Sequence, residues 1–564
     1  MTKKECNFLL FSITLCWSSS YIFIKDLPAD LSSYAYLTLT SGIAGLILAV
    51  VFHRSLRRLS RKTVFQGMLL AALLAGNMLL EKAGLARMPS SSASLLASLN
   101  IIIVPLILLL FRRLPSRNNV AGIFLILGGL LLSSGASFRG SSPAGILYML
   151  GACALMSLYT VVSSEFTKET NPLTLSVLQI VFSALIGWVL WFCEDPATFA
   201  HVTWSRGMLS SIFILAFFSK AYAYIMLMYA EKYADALSVA VIASMEPVVT
   251  LVLALLIPNA AGVTETFSLN AFLGALVITL GAITAGLHFL SPHKNEPANA
   301  VPEPDVPKPV PEIQEPEKNS ALRPFLLTLV PFAVLGAAFK VMVLVEGFTE
   351  VRPENAIPIV AGLLFGPVGG LGCAAGNLIA DCFGSLNLTS LLGVAGNFLA
   401  AYLPYRIWYA LSEERPNVHT WRNEFLYLWA SVIGALSCAW ILGFGLELFF
   451  SIWIESIYKY VFLNNLGFSL ALGLPVFALI CSNSICVPWR SPSGKPARFR
   501  LKRGWQTVIL ILTETTLLAA ILFGVCHGFY LANSAGMRRL SAAAGIGMLG
   551  MLILPTGKET ENAN

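Results

Sequence analysis

The sequence predicts an all-α polytopic membrane protein. It reads as a ten-span bundle built as an inverted repeat over residues 1–290, followed by a second helical membrane domain of six to eight spans over residues 324–564. Three observations predict this. The 564-residue chain is 56% hydrophobic and only 12% charged, where a soluble chain of this length carries about 25% charged residues; its mean hydropathy is +0.74. Apolar runs long enough to cross a bilayer, which takes about 20 residues, recur along its length. Two stretches of the first half repeat one another's order of features, and the second holds an acidic residue at its centre.

That stretch is 236–257, ALSVAVIASMEPVVTLVLALLI, with Glu246 near its middle. A carboxylate at the bilayer centre costs about 3 kcal/mol on insertion scales. Pro247 removes a backbone donor and weakens the helix one turn back. A costly charge beside a helix-weakening residue points to a polar cavity between helices. Pairing inside the bundle is the plainer alternative.

In chain order, the first ten apolar runs lie near 6–25, 32–52, 63–83, 91–111, 119–136, 144–163, 172–193, 208–228, 235–258 and 270–290. The first follows basic residues, as in a signal peptide, but no small-residue cleavage site follows it, so it reads as an uncleaved span. The loop after the second run holds Arg54, Arg57, Arg58, Arg61 and Lys62, and that after the fourth holds Arg112, Arg113 and Arg117. Loops on the other side carry one basic residue apiece (Arg87, Arg139, Arg206). The positive-inside rule then places both ends of this half in the cytoplasm. It also accounts for the net charge of +7 without a nucleic-acid partner. The ten cysteines are scattered singly and the six histidines lack metal-ligand spacing, so neither a metal nor a cofactor is predicted.

The repeat pairs 84–132 with 229–285. Each runs small-residue helix, proline, aliphatic helix, loop and glycine-containing helix, and the pairing brings Asn100 near the depth of Glu246. Trp17, Ser18 and the following serines, with Lys25, are loosely echoed by Ser157 and Glu165. Five spans per unit is an odd number, so consecutive units insert with opposite topology; a midplane site between inverted repeats is a transporter design. Lys220 lies at a similar depth in the eighth span and is a candidate counter-charge for Glu246, as an ion pair that opens or as a structural one. Trp17 and its serines either line a cavity or serve close helix packing. Glu81-Lys82 read as snorkelling residues at the outer end of the third span.

Trp17-Ser18-Ser19 with Lys25, the Ala/Ser-rich fourth span with Pro105, and Ala243-Ser244-Met245-Glu246-Pro247 together resemble an EamA-type member of the drug/metabolite transporter superfamily over residues 1–290. That family commonly has a glutamate just after the fourth span; here Arg112-Arg113 stand there, so that position does not carry over. The resemblance implies export or exchange of small metabolites by alternating access, without ATP.

Residues 291–323 are rich in Pro, Glu and Lys, cannot bury a core, and read as an extended cytoplasmic tether. The second half has apolar runs near 325–345, 353–368, 369–384, 389–410, 425–450 and 460–481. A loop with six Lys or Arg follows the last of these, so six spans begin and end inside. Within it, Glu346, Glu350, Arg352, Glu354 and Asn355 cluster in an outward loop. Asn377 and Asp381 are four apart and share a helix face, and Asn397 follows on the next span. These residues suggest a small-molecule pocket, with interhelical hydrogen bonding as the alternative.

The Arg-Pro-Glu-Asn-Ala-x-Pro opening, the Leu-Phe-Gly-Pro turn and the Gly-Asn-x-x-x-Asp helix resemble the substrate-binding component of energy-coupling-factor importers over about 325–481. Ala333 and Ala337 form a small-residue pair of the kind that docks on a coupling subunit in that family. Beyond it, 505–531 reads as a further span containing Glu514, and 540–555 as a shorter run.

No Walker, HExxH or GxSxG arrangement points to an enzyme. The reading is a secondary transporter of small organic metabolites fused to a solute-binding membrane domain, multi-pass in a bacterial inner membrane. Its candidate site residues are Glu246, Pro247, Lys220, Trp17, Ser18 and Asn100 in the first domain, and Glu346, Arg352, Asn355, Asn377, Asp381 and Asn397 in the second. Its expected partners are the lipid bilayer, a small-molecule substrate, a coupling ion such as a proton, and a homodimer or coupling subunit. The alternative is a solute receptor or a substrate-capture subunit.

Overall fold

The computed structural model describes residues 1–256, 269–286 and 321–482, apart from 26, 29–30, 58, 111–116, 138–140, 195–199, 201, 203, 341, 346–347, 385, 413–414 and 453. Most of the linker, Arg112-Arg113, Glu346, the late basic loop, Glu514 and the runs at 505–531 and 540–555 lie outside the described residues. The chain divides into two compact units, Thr2–Glu303 and Pro304–Asn564. Eleven helices among the described residues are long and apolar enough to cross a membrane.

The N-terminal unit consists of two five-span halves. The first holds α1 (Lys3–Lys25), α2 (Ser33–Val51), α3 (Arg61–Leu85), a broken span α4 (Ser90–Ala97) and α5 (Asn100–Leu110), and α6 (Arg117–Ser137). The second holds α7 (Pro143–Glu169), α8 (Pro172–Glu194), a span running from α9 (Arg206–Ile214) through a π-helical stretch (Leu215–Tyr222) into α10 (Ala223–Tyr233), a second broken span α11 (Ala236–Ala243) and α12 (Glu246–Leu256), and α13 (Leu269–Gly286). Short polar residues open these helices. Ser32, Ser60, Ser142, Ser205 and Asp235 each accept a hydrogen bond from the backbone N–H three residues on, satisfying donors that the first turn leaves free.

The packing has an approximate two-fold relation. Helix α6 packs on its counterpart α13, and α2 on its counterpart α8. The contact of α3 with α7 is mirrored by that of α10 with α1, and α4 with α12 by α11 with α5. Glycine makes the α6–α13 contact close: a Cβ on Gly129 would lie 2.7 Å from the Gly274 carbonyl oxygen, and one on Gly281 would lie 2.8 Å from the Gly122 carbonyl oxygen. The outer surface carries side chains such as Phe124 (70% exposed) and Leu131 (74% exposed), while Ser157, Gln179 and Thr40 are wholly buried. That arrangement suits a hydrocarbon solvent.

The C-terminal unit contains α14 (Leu322–Phe339), a short antiparallel ribbon of β1 (Val343–Val345) and β2 (Thr349–Glu350), a 3-10 turn (Pro353–Ala356), α15 (Ile357–Phe365), α16 (Pro367–Asp381), α17 (Ser390–Leu411) and α18 (Trp421–Phe450). It ends in α19 (Glu455–Phe468), a π-helical stretch (Ser469–Gly473) and α20 (Leu474–Ser482). Gly366 takes φ +60° and Pro367 begins the next helix, so the Gly-Pro pair breaks the apolar run into α15 and α16. These helices have 9 and 15 residues, about 14 and 22 Å at 1.5 Å per residue. They are shorter than the full spans expected there. Ala333 is buried and Ala337 half-buried.

Candidate functional site

Both broken spans of the N-terminal unit open in the same register. Ser90–Ala97, a two-residue turn and Asn100–Leu110 recur 146 residues later as Ala236–Ala243, a two-residue turn and Glu246–Leu256. Asn100 and Glu246 therefore occupy equivalent positions, each the first residue of a second half-helix. At the later break the helix tightens: the Ser244 N–H still reaches Ala240, but the Met245 N–H bonds Ile242, three residues back. Pro247 has no N–H to continue the ladder. At the earlier break, Ser98 turns its hydroxyl onto the Ser94 carbonyl, and the Leu99 and Ile101 N–H groups make three-residue steps. The prolines are not equivalent: Pro105 lies inside α5, whereas Pro247 follows the break directly.

A cavity lies between the halves, with about 60 Å³ open to the centres of water molecules, room for several. Trp17, Asn100, Lys220 and Glu246 line it, as do Tyr21, Asn77, Glu81 and Tyr224. The Tyr21 hydroxyl donates to Glu246 Oε2 at 3.3 Å, and Ser18 Oγ donates to the Glu246 backbone carbonyl at 3.2 Å. Glu246 also stands in the first turn of α12, where the helix dipole favours a carboxylate. Asn100 Oδ1 accepts from Ser157 Oγ at 2.5 Å. The Trp17 indole N–H bonds the Ser219 carbonyl at 3.3 Å, in the π-helical stretch that turns Lys220 toward the cavity.

The structure corrects several expectations. Lys220 and Glu246 share the cavity but form no ion pair; the Lys220 ammonium stands 5.5 Å from the centre of the Tyr36 ring instead. The π-helical register carries the lysine onto an aromatic face, an attractive cation site in its own right. Ser18 holds the break rather than lining the cavity, and Ser20 takes the lining position. Glu81 is cavity-lining, not a snorkelling residue. Lys25 is exposed at the end of α1, and Glu165 pairs with Lys168 on the surface at 2.8 Å; of the two echoing residues, Ser157 and Glu165, Ser157 alone reaches the site, through Asn100.

In the C-terminal unit, four of the five described candidates join a buried network. Arg352 Nη1 donates to Asn377 Oδ1 at 2.9 Å, Nη2 to Asp381 Oδ1 at 3.3 Å and Nε to Glu350 Oε2 at 3.2 Å. Lys340 bridges Asp381 at 2.8 Å and Glu350 at 3.1 Å. Asn377 Nδ2 donates to Asp381 Oδ2, and Asn397 Nδ2 donates to Asn377 Oδ1 at 3.1 Å. Asn464 holds β2 through the Glu350 carbonyl at 2.8 Å. Arg352, Asn377, Asp381, Asn397 and Asn464 border a cavity with about 40 Å³ open to water centres, which Asn355 also lines. Sequence reasoning passed over Lys340 and the Asn464-Asn465 pair; an amide doublet in an apolar run was the available signal.

An inverted-repeat helical bundle with a polar cavity at two broken spans defines a membrane transporter of small solutes. Residues 5–135 and 143–287 match the EamA-like transporter family, and the N-terminal unit belongs to that family. No curated protein matches the chain. A solved structure described only as a crystal structure of a protein aligns at 18% identity over 50% of this chain and 97% of its own length, with a TM-score of 0.39. That likeness is too distant to bear on the site.

Proposed function

We propose that the N-terminal unit is a secondary carrier of small organic metabolites. Its two halves rock about the central cavity, exposing it to one side of the membrane and then the other. Glu246 changes its protonation or its partner during the cycle, Lys220 supplies the opposing charge, and Trp17 and Asn100 contact the solute. A proton is the coupling ion this arrangement suits. The observation that carries the reading is a carboxyl group at one of two symmetry-related helix breaks, bordering a cavity with room for several waters and with a phenol as its hydrogen-bond donor. A buried carboxyl so placed costs stability and is retained where a pathway uses it.

The C-terminal unit, on this proposal, binds a solute in its own polar cavity, alone or together with a coupling subunit. The network of Arg352, Asn377, Asp381 and Asn397 beside that cavity supports it.

Counterflow in proteoliposomes tests the carrier. The full chain is reconstituted and assayed with labelled neutral amino acids and nucleobases across a range of pH. The expected result is exchange of at least one label, falling by an order of magnitude or more in Glu246→Gln. Unaltered, pH-sensitive exchange by that variant removes Glu246 from the mechanism.

A further inference from the structure

The N-terminal unit buries a second carboxyl that the proposed cycle does not use. Glu231 lies near the end of α10 and is wholly buried. Neither Oε1 nor Oε2 has a hydrogen-bond partner, and no cation pairs with it among the described residues. Helix α7 brings Tyr159 and Ser163 beside it. Both hydroxyls are turned elsewhere: Tyr159 donates to Gln179 Oε1 at 2.9 Å, and Ser163 to the Thr160 carbonyl at 3.3 Å. Gln179, from α8, leaves its own Nε2 buried and unpaired. From α1, in the other half, Cys6 Sγ reaches the Ala230 carbonyl at 3.5 Å. The charged groups at this end are engaged: Glu5 accepts from the Thr2 N–H, Asp235 caps α11, and Lys232 stands over the Tyr233 ring. Tyr224 lines the central cavity, and Glu231 lies seven residues further along the same helix, about 10 Å at 1.5 Å per residue. Tyr159 packs edge to face on Tyr224, 6.0 Å between ring centres. Counting back 146 residues, as for the two breaks, the first half has Leu85 at this position, so the scaffold itself needs no carboxyl here.

We propose that Glu231 is a second proton site of this unit, separate from Glu246: neutral while the end of α10 is packed, and giving its proton to water when movement of the two halves opens that end. A buried carboxylate with neither a cation nor a donor is too costly to stay charged, so the packed state holds the neutral acid. Helix α10 packs on α1 of the other half, and rocking of the halves parts these helices beside Glu231. Water entering there takes the proton, leaving a carboxylate and a hydronium ion, and closure returns the proton first. Glu246 then exchanges with the cavity, and Glu231 with the membrane face at which α10 ends. A buried carboxyl in a span is costly and is retained where an ion pathway uses it.

The inference rests on the carrier reading of the N-terminal unit, and one arm of its test needs no transported solute. Infrared titration of the full chain in proteoliposomes reads the C=O stretch of protonated carboxyls. A band from a carboxylic acid free of hydrogen bonds is expected. It should fade as pH rises, be missing in Glu231→Gln and remain in Glu246→Gln. Glu231→Gln breaks no hydrogen bond, and Glu231→Leu, which borrows the first half's residue, is a second variant for the same spectrum. A band unaltered in these variants, or one that persists at every pH the fold survives, overturns the proposal. The second arm uses whichever labelled amino acid or nucleobase the unmodified chain exchanges. In Glu231→Gln, a stand-in for the neutral acid, counterflow should be retained, because exchange needs no net release of a proton. Accumulation driven by a pH gradient should fall by an order of magnitude or more. Loss of both together, or of neither, overturns the proposal. If the unmodified chain exchanges no label, the carrier reading fails, and the infrared arm alone upholds or overturns the proton site.

Discussion

The pairing of α6 with α13 gives the most direct test of the inverted repeat. A Cβ added at Gly129 would meet the Gly274 carbonyl oxygen at 2.7 Å and the Ile278 nitrogen at 2.9 Å. One added at Gly281 would meet the Gly122 carbonyl oxygen at 2.8 Å and the Ile126 nitrogen at 2.9 Å. Ordinary contact begins near 3.4 Å, so each alanine drives backbone atoms together that cannot rotate away. Overpacking of this kind costs about 1–3 kcal/mol, set against a helix-propensity gain of up to about 1 kcal/mol for Gly→Ala. A net loss of up to ~2 kcal/mol is expected for each variant, and at ~2–4 °C per kcal/mol it is visible in a thermal unfolding midpoint. Gly128 is the internal control, because nothing lies within 4 Å of a Cβ there; Gly128→Ala should be neutral or stabilising. The double variant Gly129→Ala/Gly281→Ala should lose less than the two singles together, since one outward shift of the helices relieves both overlaps. Equal midpoints for Gly128→Ala and Gly129→Ala would refute the close crossing, and strict additivity would refute the shared one.

Two further outcomes follow from the buried charges. Asp381 faces both Lys340 and Arg352 at side-chain exposures of 6%, 8% and 12%. Asp381→Ala should therefore destabilise the chain by about 3–5 kcal/mol, as removal of one member of a buried ion network does, measured as the unfolding midpoint; a change within error would show the network to be relaxed in solution. Lys220 is 2% exposed and rests on an aromatic ring, with the Glu81 carboxylate acting on it from the same cavity but no direct ion pair between them. Lys220→Met should hold or raise the midpoint while abolishing counterflow, and a destabilised but fully active variant would make the lysine structural.

Much of the architecture was legible because the bilayer leaves the chain few options. Apolar runs and the order of small-residue helices place most span ends of the N-terminal unit within a few residues of those observed. Glu246 stood out for the same reason, as a charge inside a span. The positions read less well were those set by local backbone departures. The π-helical stretch at Leu215–Tyr222 re-aims Lys220 toward Tyr36, and no spacing rule for an ordinary helix anticipates that. Glu81 lies only a few residues from the end of α3, so an acidic residue bordering the cavity and one reaching for the headgroups look alike in sequence. In the C-terminal unit, Arg352 and Asp381 announced themselves by charge, whereas Lys340 meets them only because the ribbon folds β2 back beside the end of α14.

The two helix breaks also bear on how a cycle with a direction can arise from a symmetric scaffold. Position for position, the halves present the same opening to the cavity, yet one presents an amide and the other an acid. The Asn100 oxygen is met by Ser157 Oγ from α7, in the opposite half. The Glu246 carboxyl is met by the Tyr21 hydroxyl from α1, again in the opposite half. Each break is thus held by the first helix of the other repeat, so a movement of one half against the other strains both contacts together. On the proposed mechanism, only the second contact depends on a proton: an ionised Glu246 accepts from Tyr21, whereas a protonated one can also donate to a solute. Two identical amides would make the inward and outward forms equivalent. One amide and one acid tie the balance between them to whether the carboxyl carries a proton, which is the asymmetry a coupled carrier requires.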